Sequence, residues 1–285
     1  MDERLAEAIA RGNLTKLLDK VRDERGLDLS QYRPRYVERR LGTRLRVLDL
    51  ATYRQYAAYL DAHPEEYVKL LDALTINVTQ FFRDATVYEL FRSTIVPDIM
   101  KAKVARRQKT IRVWSAGCAT GQEPYSLAMS FLSEMRRSER EFMLLVVGTD
   151  IDRVALATAR KGVYPVADLE QIPEPERSRY TVTAGGTFTF KPEVIKHLKF
   201  QYLNLFEDAG VQLADVIFCR NVFIYFTRTE QERMLNVFWE SLSRGGYLVL
   251  GRSERLAPAL AQRFELVSGR ERIYRKPHGR QESGA

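Results

Sequence analysis

The hydrophobic period of this chain changes once, after Lys103, and that change limits the folds open to it more than any other feature. Upstream, "LAEAIARG", "LTKLLDKVRDERG", "RPRYVERRLGTRLR", "YRQYAAYLDAH", "PEEYVKLLDALT" and "ATVYELFRSTIVPDIMKAK" all place apolar residues three and four apart, the spacing of amphipathic helices. Downstream, "IRVWSAG", "FMLLVVGTD", "ADVIFCRN" and "GGYLVLG" are short apolar runs separated by helix-like segments. Such runs suit strands buried on both faces, so the alternation predicts a mostly parallel α/β sheet. One segment breaks that rhythm. "YTVTAGGTFTFK" reads as strand, Gly185-Gly186 turn and strand, the chemistry of an antiparallel hairpin, and marks a small β insertion at about residues 164–200. "FELVSGRERIYRK" reads as a terminal hairpin. The expected organisation is an all-α N-terminal domain over 1–76, then an α/β domain over 77–285 with the β insertion inside it.

A chain of 285 residues, 45% hydrophobic, can bury a substantial core. No apolar run approaches the roughly 18 residues that span a bilayer, and the first twenty residues mix acids and bases without an apolar secretory stretch. The sequence therefore predicts a cytoplasmic protein with no direct membrane insertion. Cys118 and Cys219 have no ligand-like spacing and His63, His197 and His278 are scattered, so reduced thiols and no metal are expected. A formal charge of +8 points to an anionic partner. In "RPRYVERRLGTRLR", Arg33, Arg35, Arg39, Arg40, Arg44 and Arg46 face one acid, Glu38, while Val37, Leu41, Leu45 and Leu48 form an apolar stripe. That basic face is either a solvated helix surface or a docking surface for an acidic partner.

Four stretches carry candidate chemistry. "IRVWSAGCATGQEPYSLAMSFL" runs from strand through a small-residue loop into a helix with Pro124 in its first turn. Gly117 and Gly121 would let a ligand approach the backbone, or the loop is simply a tight turn. The spacing is Gly-x-x-x-Gly, which disfavours a dinucleotide pyrophosphate, and no Walker lysine follows. Asp150, at the carboxyl end of "LLVVGTD", could accept both hydroxyls of a ribose. A ribose without a pyrophosphate suits S-adenosylmethionine better than NAD. Its methionine carboxylate needs a cation, which Arg83 of "NVTQFFRD" offers, with Asn77 and Thr79 for nearby polar groups. Phe81 and Phe82 either wall the site or belong to the core. In "DVIFCRNVFIYF", Arg220, Asn221 and Tyr225 follow a strand and should face the crevice, although Tyr225 also suits a core position. Thr229 and Glu232 have the spacing of a capping box, opening a helix that would end at Gly245-Gly246.

With these residues in order, the chain resembles the CheR family of bacterial chemotaxis methyltransferases, through "NVTQFFR", "WSAGCATGQEPYS", "GTDID", "YLNLF" and "FCRNVFIYF". The resemblance spans nearly the whole chain. It implies a Rossmann-like S-adenosylmethionine-dependent domain, transfer of methyl to glutamate side chains of chemoreceptors, and S-adenosylhomocysteine as product. At matching positions it implies that Asn77, Thr79 and Arg83 contact the methionine end, Glu123 holds the cofactor at the glycine loop and Asp150 takes the ribose. Asn204, Leu205, Cys219 and Arg220 would line the rest of the pocket, with Arg83 and Tyr225 nearest the transferring methyl. The arginine helix would dock receptor methylation helices. In some family members the β insertion binds a receptor C-terminal peptide by strand addition, which makes the hairpin at 180–191 the candidate element here.

The rival readings lack their own signatures. A nucleic-acid amino-methyltransferase would carry an Asp/Asn-Pro-Pro-aromatic motif, and no Pro-Pro pair occurs, so no nucleic acid partner is expected. A non-catalytic adaptor would have no need of Arg83, Asp150 and Tyr225 together.

Overall fold

The computed structural model describes residues 3–74, 79–256 and 258–278. It divides into two compact units, Met1–Ile76 with Tyr225–Glu230, and Asn77–Ile224 with Gln231–Ala285.

The first unit is helical. The two N-terminal segments expected from the sequence are one helix, Glu3–Arg25, that runs through Gly12. A glycine costs a helix only about 1 kcal/mol relative to alanine, less than burial of Leu17 and Val21 on its later turns returns. Pro34 opens the arginine helix Pro34–Val47, which buries Tyr36, Val37 and Leu41. Thr52 and Gln55 form a reciprocal capping box at the start of helix Tyr53–Ala62. Helix Glu66–Leu74 adds Leu70 and Leu74 to the core.

An acid lies inside this apolar unit. Glu66 is 1% exposed. Its carboxylate accepts from Arg44 Nε at 2.8 Å and Nη2 at 2.9 Å, and from the Tyr56 hydroxyl at 3.1 Å. A bidentate guanidinium and a phenol supply the hydrogen bonds that water would otherwise provide. Removing the acid strands the cation, so Glu66→Ala should cost roughly 3 kcal/mol in a urea unfolding titration, and Arg44→Ala should cost about as much.

Among the described residues, the second unit has ten strands. They are β1 (Thr110–Ala116), β2 (Met143–Asp150), β3 (Val163–Pro165), β4 (Thr181–Ala184), β5 (Thr187–Phe190), β6 (Leu198–Tyr202), β7 (Ala214–Cys219), β8 (Leu242–Leu250), β9 (Glu265–Ser268) and β10 (Ile273–Arg275). Seven form one sheet in the order β6-β2-β1-β7-β8-β10-β9. The first five are parallel, and β10 is antiparallel to both β8 and β9. β3, β5 and β4 form the small antiparallel sheet of the insertion. From β1 the chain builds outward through β2 to β6, then returns to lay β7 on β1's other side. Strand order therefore reverses between β1 and β7, which opens a crevice at their carboxyl ends.

β6 escaped the sequence reading because it is an edge strand whose residues are only partly covered, unlike the fully buried β7. The helix after β7 also differs from expectation. It spans Arg228–Ser241, and the Glu230 N–H points to Thr227 Oγ1 at 3.5 Å, so the cap lies two residues before Thr229. Nor does the helix reach the glycine pair, which lies inside β8. A Cβ on Gly246 would sit 3.1 Å from the carbonyl oxygens of Ala214 and Asp215, so the second glycine lets β8 close on β7 where their register shifts.

Candidate functional site

The crevice starts where β1 ends. The N–H groups of Gly117 and Cys118 donate to Thr149 O at 2.8 and 3.0 Å, carrying the β1–β2 pairing into the loop. Gly121 then closes a turn on Cys118 O at 3.0 Å, and helix Gln122–Arg137 begins. Both glycines have positive φ, 77° and 99°. The packing reason for them is internal to the protein. A Cβ on Gly117 would lie 2.6 Å from Val222 Cγ2, and one on Gly121 would lie 2.8 Å from Ala159 Cβ. Close approach of neighbouring segments accounts for their size.

Asp150 is bound into this loop. Its Oδ2 accepts the Ala119 N–H at 2.7 Å and its Oδ1 the Asp152 N–H at 2.9 Å. A carboxylate has about four acceptor sites, so beyond these N–H groups and that of Ile151 some capacity is left for hydroxyls. Burial raises its pKa, while the N–H donors of Asp152 and Ala119 work against that rise. Glu123, in the first turn of the helix, accepts the Ser115 hydroxyl at 2.7 Å and lies 3.8 Å from Arg220 Nη1. Burial pushes its pKa up too, opposed by the positive charges of Arg220 and Arg83.

Arg83 is presented by a strained turn. Phe82 and Asp84, on either side of it, have φ of 48° and 61°. Side chains hold the turn. The Phe81 N–H donates to Gln171 Oε1 at 3.0 Å, the Phe82 N–H to Ser126 Oγ at 3.0 Å, and Arg220 Nη1 to Arg83 O at 2.9 Å. Arg220 Nη2 also pairs with Asp84 Oδ2. Phe81 and Phe82 are 2% and 6% exposed, as residues of the core are. Phe81 packs on Tyr164, Phe188 and Phe190 of the insertion, and Phe82 on Tyr88.

The remaining expected residues are distributed as follows. Thr79 is half-buried, and Asn77 lies outside the described residues. Asn204 is buried just after β6, where its Oδ1 accepts the Phe206 N–H at 3.1 Å, and Leu205 is buried beside it. Cys219 is fully buried at the end of β7, and burial holds its thiol well above the usual range. Asn221 follows in a left-handed conformation, φ 61°. Tyr225 groups with the helical unit: its ring packs on Tyr36 at 4.9 Å, and its carbonyl accepts the Arg33 N–H at 2.8 Å.

The six arginines are not equivalent. Arg44 is turned inward to Glu66. Arg40 is half-buried over the Tyr36 ring at 5.4 Å, Arg33 donates to Phe226 O and Arg46 donates back to Gly42 O. Arg35 and Arg39 are exposed.

Sequence reasoning missed Glu254, which lies beyond β8 and is 3% exposed. It accepts N–H groups from Asn221 at 3.0 Å, Phe223 at 2.7 Å and Gly251 at 2.6 Å, fixing the loop after β7. Burial raises its pKa and those donors oppose the rise. A carboxylate just past a strand end, in "GRSE", was the available signal. Gln171 and Ser126 gave none.

The crevice fits a nucleoside with a charged tail. Asp150 keeps acceptor sites for hydroxyls, and two buried polar atoms at the end of β7, Arg220 Nε and Asn221 Oδ1, lack a protein partner. A parallel sheet switching direction between β1 and β7, an acid at the end of β2 and a loop without the pyrophosphate pattern define a nucleoside-binding domain of the methyltransferase class. The family comparisons specify it further. The model of the CheR methyltransferase, SAM binding domain, matches residues 77–273, and that of the CheR methyltransferase, all-alpha domain, matches residues 13–75. The chain belongs to the CheR methyltransferase family, and is an enzyme that uses S-adenosylmethionine as its methyl donor.

Named relatives agree. The chain is 34% identical over 241 residues to chemotaxis protein methyltransferase 2 of Pseudomonas aeruginosa, covering 82% of this chain and 83% of that protein. It is 29% identical over 253 residues to the chemotaxis protein methyltransferase of Borreliella burgdorferi, covering 87% and 89%. An uncharacterized 104.1 kDa protein of Rhodobacter capsulatus is 34% identical over 271 residues, which are 95% of this chain and 28% of that larger protein. Among the described residues, no helix is long and apolar enough to cross a membrane.

With Asp150 assigned to the ribose, burial raises its pKa and its charged form is the better acceptor for hydroxyls, so S-adenosylhomocysteine should bind more weakly as pH falls. The midpoint should lie above the ordinary aspartate value of about 3.9. In Asp150→Asn, calorimetric titrations should show weaker binding throughout and a shallower pH dependence.

Proposed function

We propose that this enzyme methylates glutamate side chains of bacterial chemoreceptors in the cytoplasm, giving glutamate methyl esters for sensory adaptation. The observation that carries the reading is the pair of family matches, which together cover most of the chain, joined to a crevice where Asp150 and Arg220 have the chemistry the donor requires. Asn77, Thr79 and Arg83 hold the methionine end, Glu123 and Asp150 the glycine-loop side and the ribose. Asn204, Leu205, Cys219 and Arg220 complete the pocket. When bound, S-adenosylmethionine supplies a methyl group on a positively charged sulfur.

The acceptor sets the rest of the chemistry. A glutamate with a pKa of about 4.3 is already an anion at neutral pH, so its oxygen needs no general base before bonding to the methyl carbon. The protein has to align the groups and keep water out, contributions that reach roughly 7 to 11 kcal/mol in well-oriented systems. Arg83 and Tyr225 are the residues that orient the reacting groups, and Tyr225→Phe and Arg83→Ala should each lower turnover.

The basic helix supplies the docking face. Arg35 and Arg39 are its most available cations, with Arg33, Arg40 and Arg46 beside them, whereas Arg44 serves the fold. Receptor methylation helices carry acids, so the attraction should be weak and salt-sensitive. The edge strand β4, whose residues are mainly exposed, is the candidate for adding a receptor C-terminal peptide as a further strand.

Transfer of labelled methyl to a receptor cytoplasmic fragment, followed by mild alkali, tests the reaction. Release of the label as methanol is the expected result for a glutamyl ester, and alkali-stable label would refute it. The double variant Arg35→Glu, Arg39→Glu should reduce receptor methylation at least several-fold at low salt while S-adenosylhomocysteine affinity stays within twofold of wild type, as expected for exposed charges that steer association. Undiminished methylation would leave those arginines as a solvated face.

A further inference from the structure

The β insertion contributes to the site from a side not used above. Its small sheet and the segments around it bear on the Arg83 turn in three places, two of them directly and one through Arg92. Phe81 sits edge-on to Tyr164, with ring centroids 5.0 Å apart, and against Phe188 and Phe190 of β5 at 5.7 and 5.6 Å. Arg92 lies over the Phe82 ring at 5.7 Å and donates to the buried Glu176 at 3.0 Å, and Glu176 belongs to the insertion's helix Glu174–Tyr180. The third contact is polar. Gln171, in the helical turn Val166–Gln171, accepts the Phe81 N–H through Oε1 at 3.0 Å, and its own amide donates to Asp168 Oδ1 at 3.2 Å.

These contacts bear on a turn that cannot hold itself. Phe82 and Asp84 both occupy the left-handed region, which disfavours side-chain-bearing residues and persists only where surrounding structure enforces it. The enforcing groups come from three places: Ser126 from helix Gln122–Arg137, Arg220 from the end of β7, and Gln171 from the insertion. Ser126 and Arg220 flank the crevice. Gln171 comes from the insertion instead, and the bond to Asp168 sets which face of its amide meets Phe81.

We propose that Gln171 is a positioning residue for Arg83: through the Phe81 N–H, the insertion sets the turn that delivers the arginine to the cofactor's carboxylate. The proposal rests on the assignment of Arg83 to that carboxylate. It makes the insertion a structural part of the cofactor site, in addition to any role in holding a receptor.

Calorimetric titration of S-adenosylhomocysteine into the full chain tests it, with thermal denaturation of each ligand-free variant alongside. Gln171→Met keeps size and removes the acceptor, so affinity should fall about three- to tenfold, the range for losing one neutral hydrogen bond. Gln171→Glu keeps the acceptor but turns a second carboxylate toward Asp168, so it is made together with Asp168→Asn, which returns a donor to that contact, and the double variant should recover affinity to within about twofold of wild type. Should the Met variant fail to fold, Gln171→Asn, which withdraws the same amide, takes its place and should show the same loss. In an Arg83→Ala background the Met substitution should add almost nothing, because a positioning residue acts only through the group it positions. Wild-type affinity in Gln171→Met, or the same fold-loss with and without Arg83, would overturn the proposal. Unchanged affinity in Arg83→Ala alone would instead refute the assignment of Arg83, which separates the two failures.

Discussion

The methyltransferase domain depends on one buried guanidinium. Arg220, whose side chain is 2% exposed, holds the Arg83 carbonyl and the Asp84 carboxylate and lies 3.8 Å from Glu123. It thereby joins the end of β7, the turn that leads into helix Ala85–Leu90 and helix Gln122–Arg137 after the glycine loop. Those are the segments that close the crevice. A buried cation is costly unless hydrogen-bonded, and the Arg83 carbonyl and the Asp84 carboxylate offset that cost at two of its nitrogens, with Glu123 adding a charge nearby. The same charge opposes the rise that burial imposes on the Glu123 pKa, so one residue both fixes the geometry of the crevice and tunes its electrostatics.

The fold was legible where burial was complete. β1, β2, β7 and β8 were visible as apolar runs because each lies within a covered sheet, and the Gly185-Gly186 hairpin because a tight turn demands its residues. β6 was hidden by its edge position. The capping Thr227 was missed because Thr229 offered the same spacing two residues later, and the glycine pair in β8 looked like a helix stop when its purpose is close strand approach. Each error has the same source: a local pattern compatible with two structures, with the choice made by a neighbour distant in sequence.

The candidate site could be proposed from its charged residues and not from their supports. Asp150, Glu123, Arg83 and Arg220 stand beside strand ends or in short motifs, where residue type and place together suggest chemistry. Their supports act through backbone groups. Gln171 meets Phe81 across 90 residues of sequence, and Glu254 gathers three N–H groups from two loops. Nothing in residue type announces such a contact. The arginine helix shows the converse: one basic stripe in sequence contains Arg44, committed to the buried Glu66, alongside the exposed Arg35 and Arg39.

The segment Tyr225–Glu230 bears on how this protein can be taken apart. It groups with the helical unit, where Phe226 packs on Tyr32 and the Thr227 N–H reaches Gln31 O at 3.0 Å, although it comes from the middle of the sheet domain's sequence. The chain thus passes between the two units three times. A cut after residue 76 yields a helical fragment missing a piece of its own core and a catalytic fragment carrying an aromatic segment with no place to pack. An exchange of helical units between relatives would have to transplant residues 225–230 with them, because the boundary that matters for folding is not a single point in the sequence.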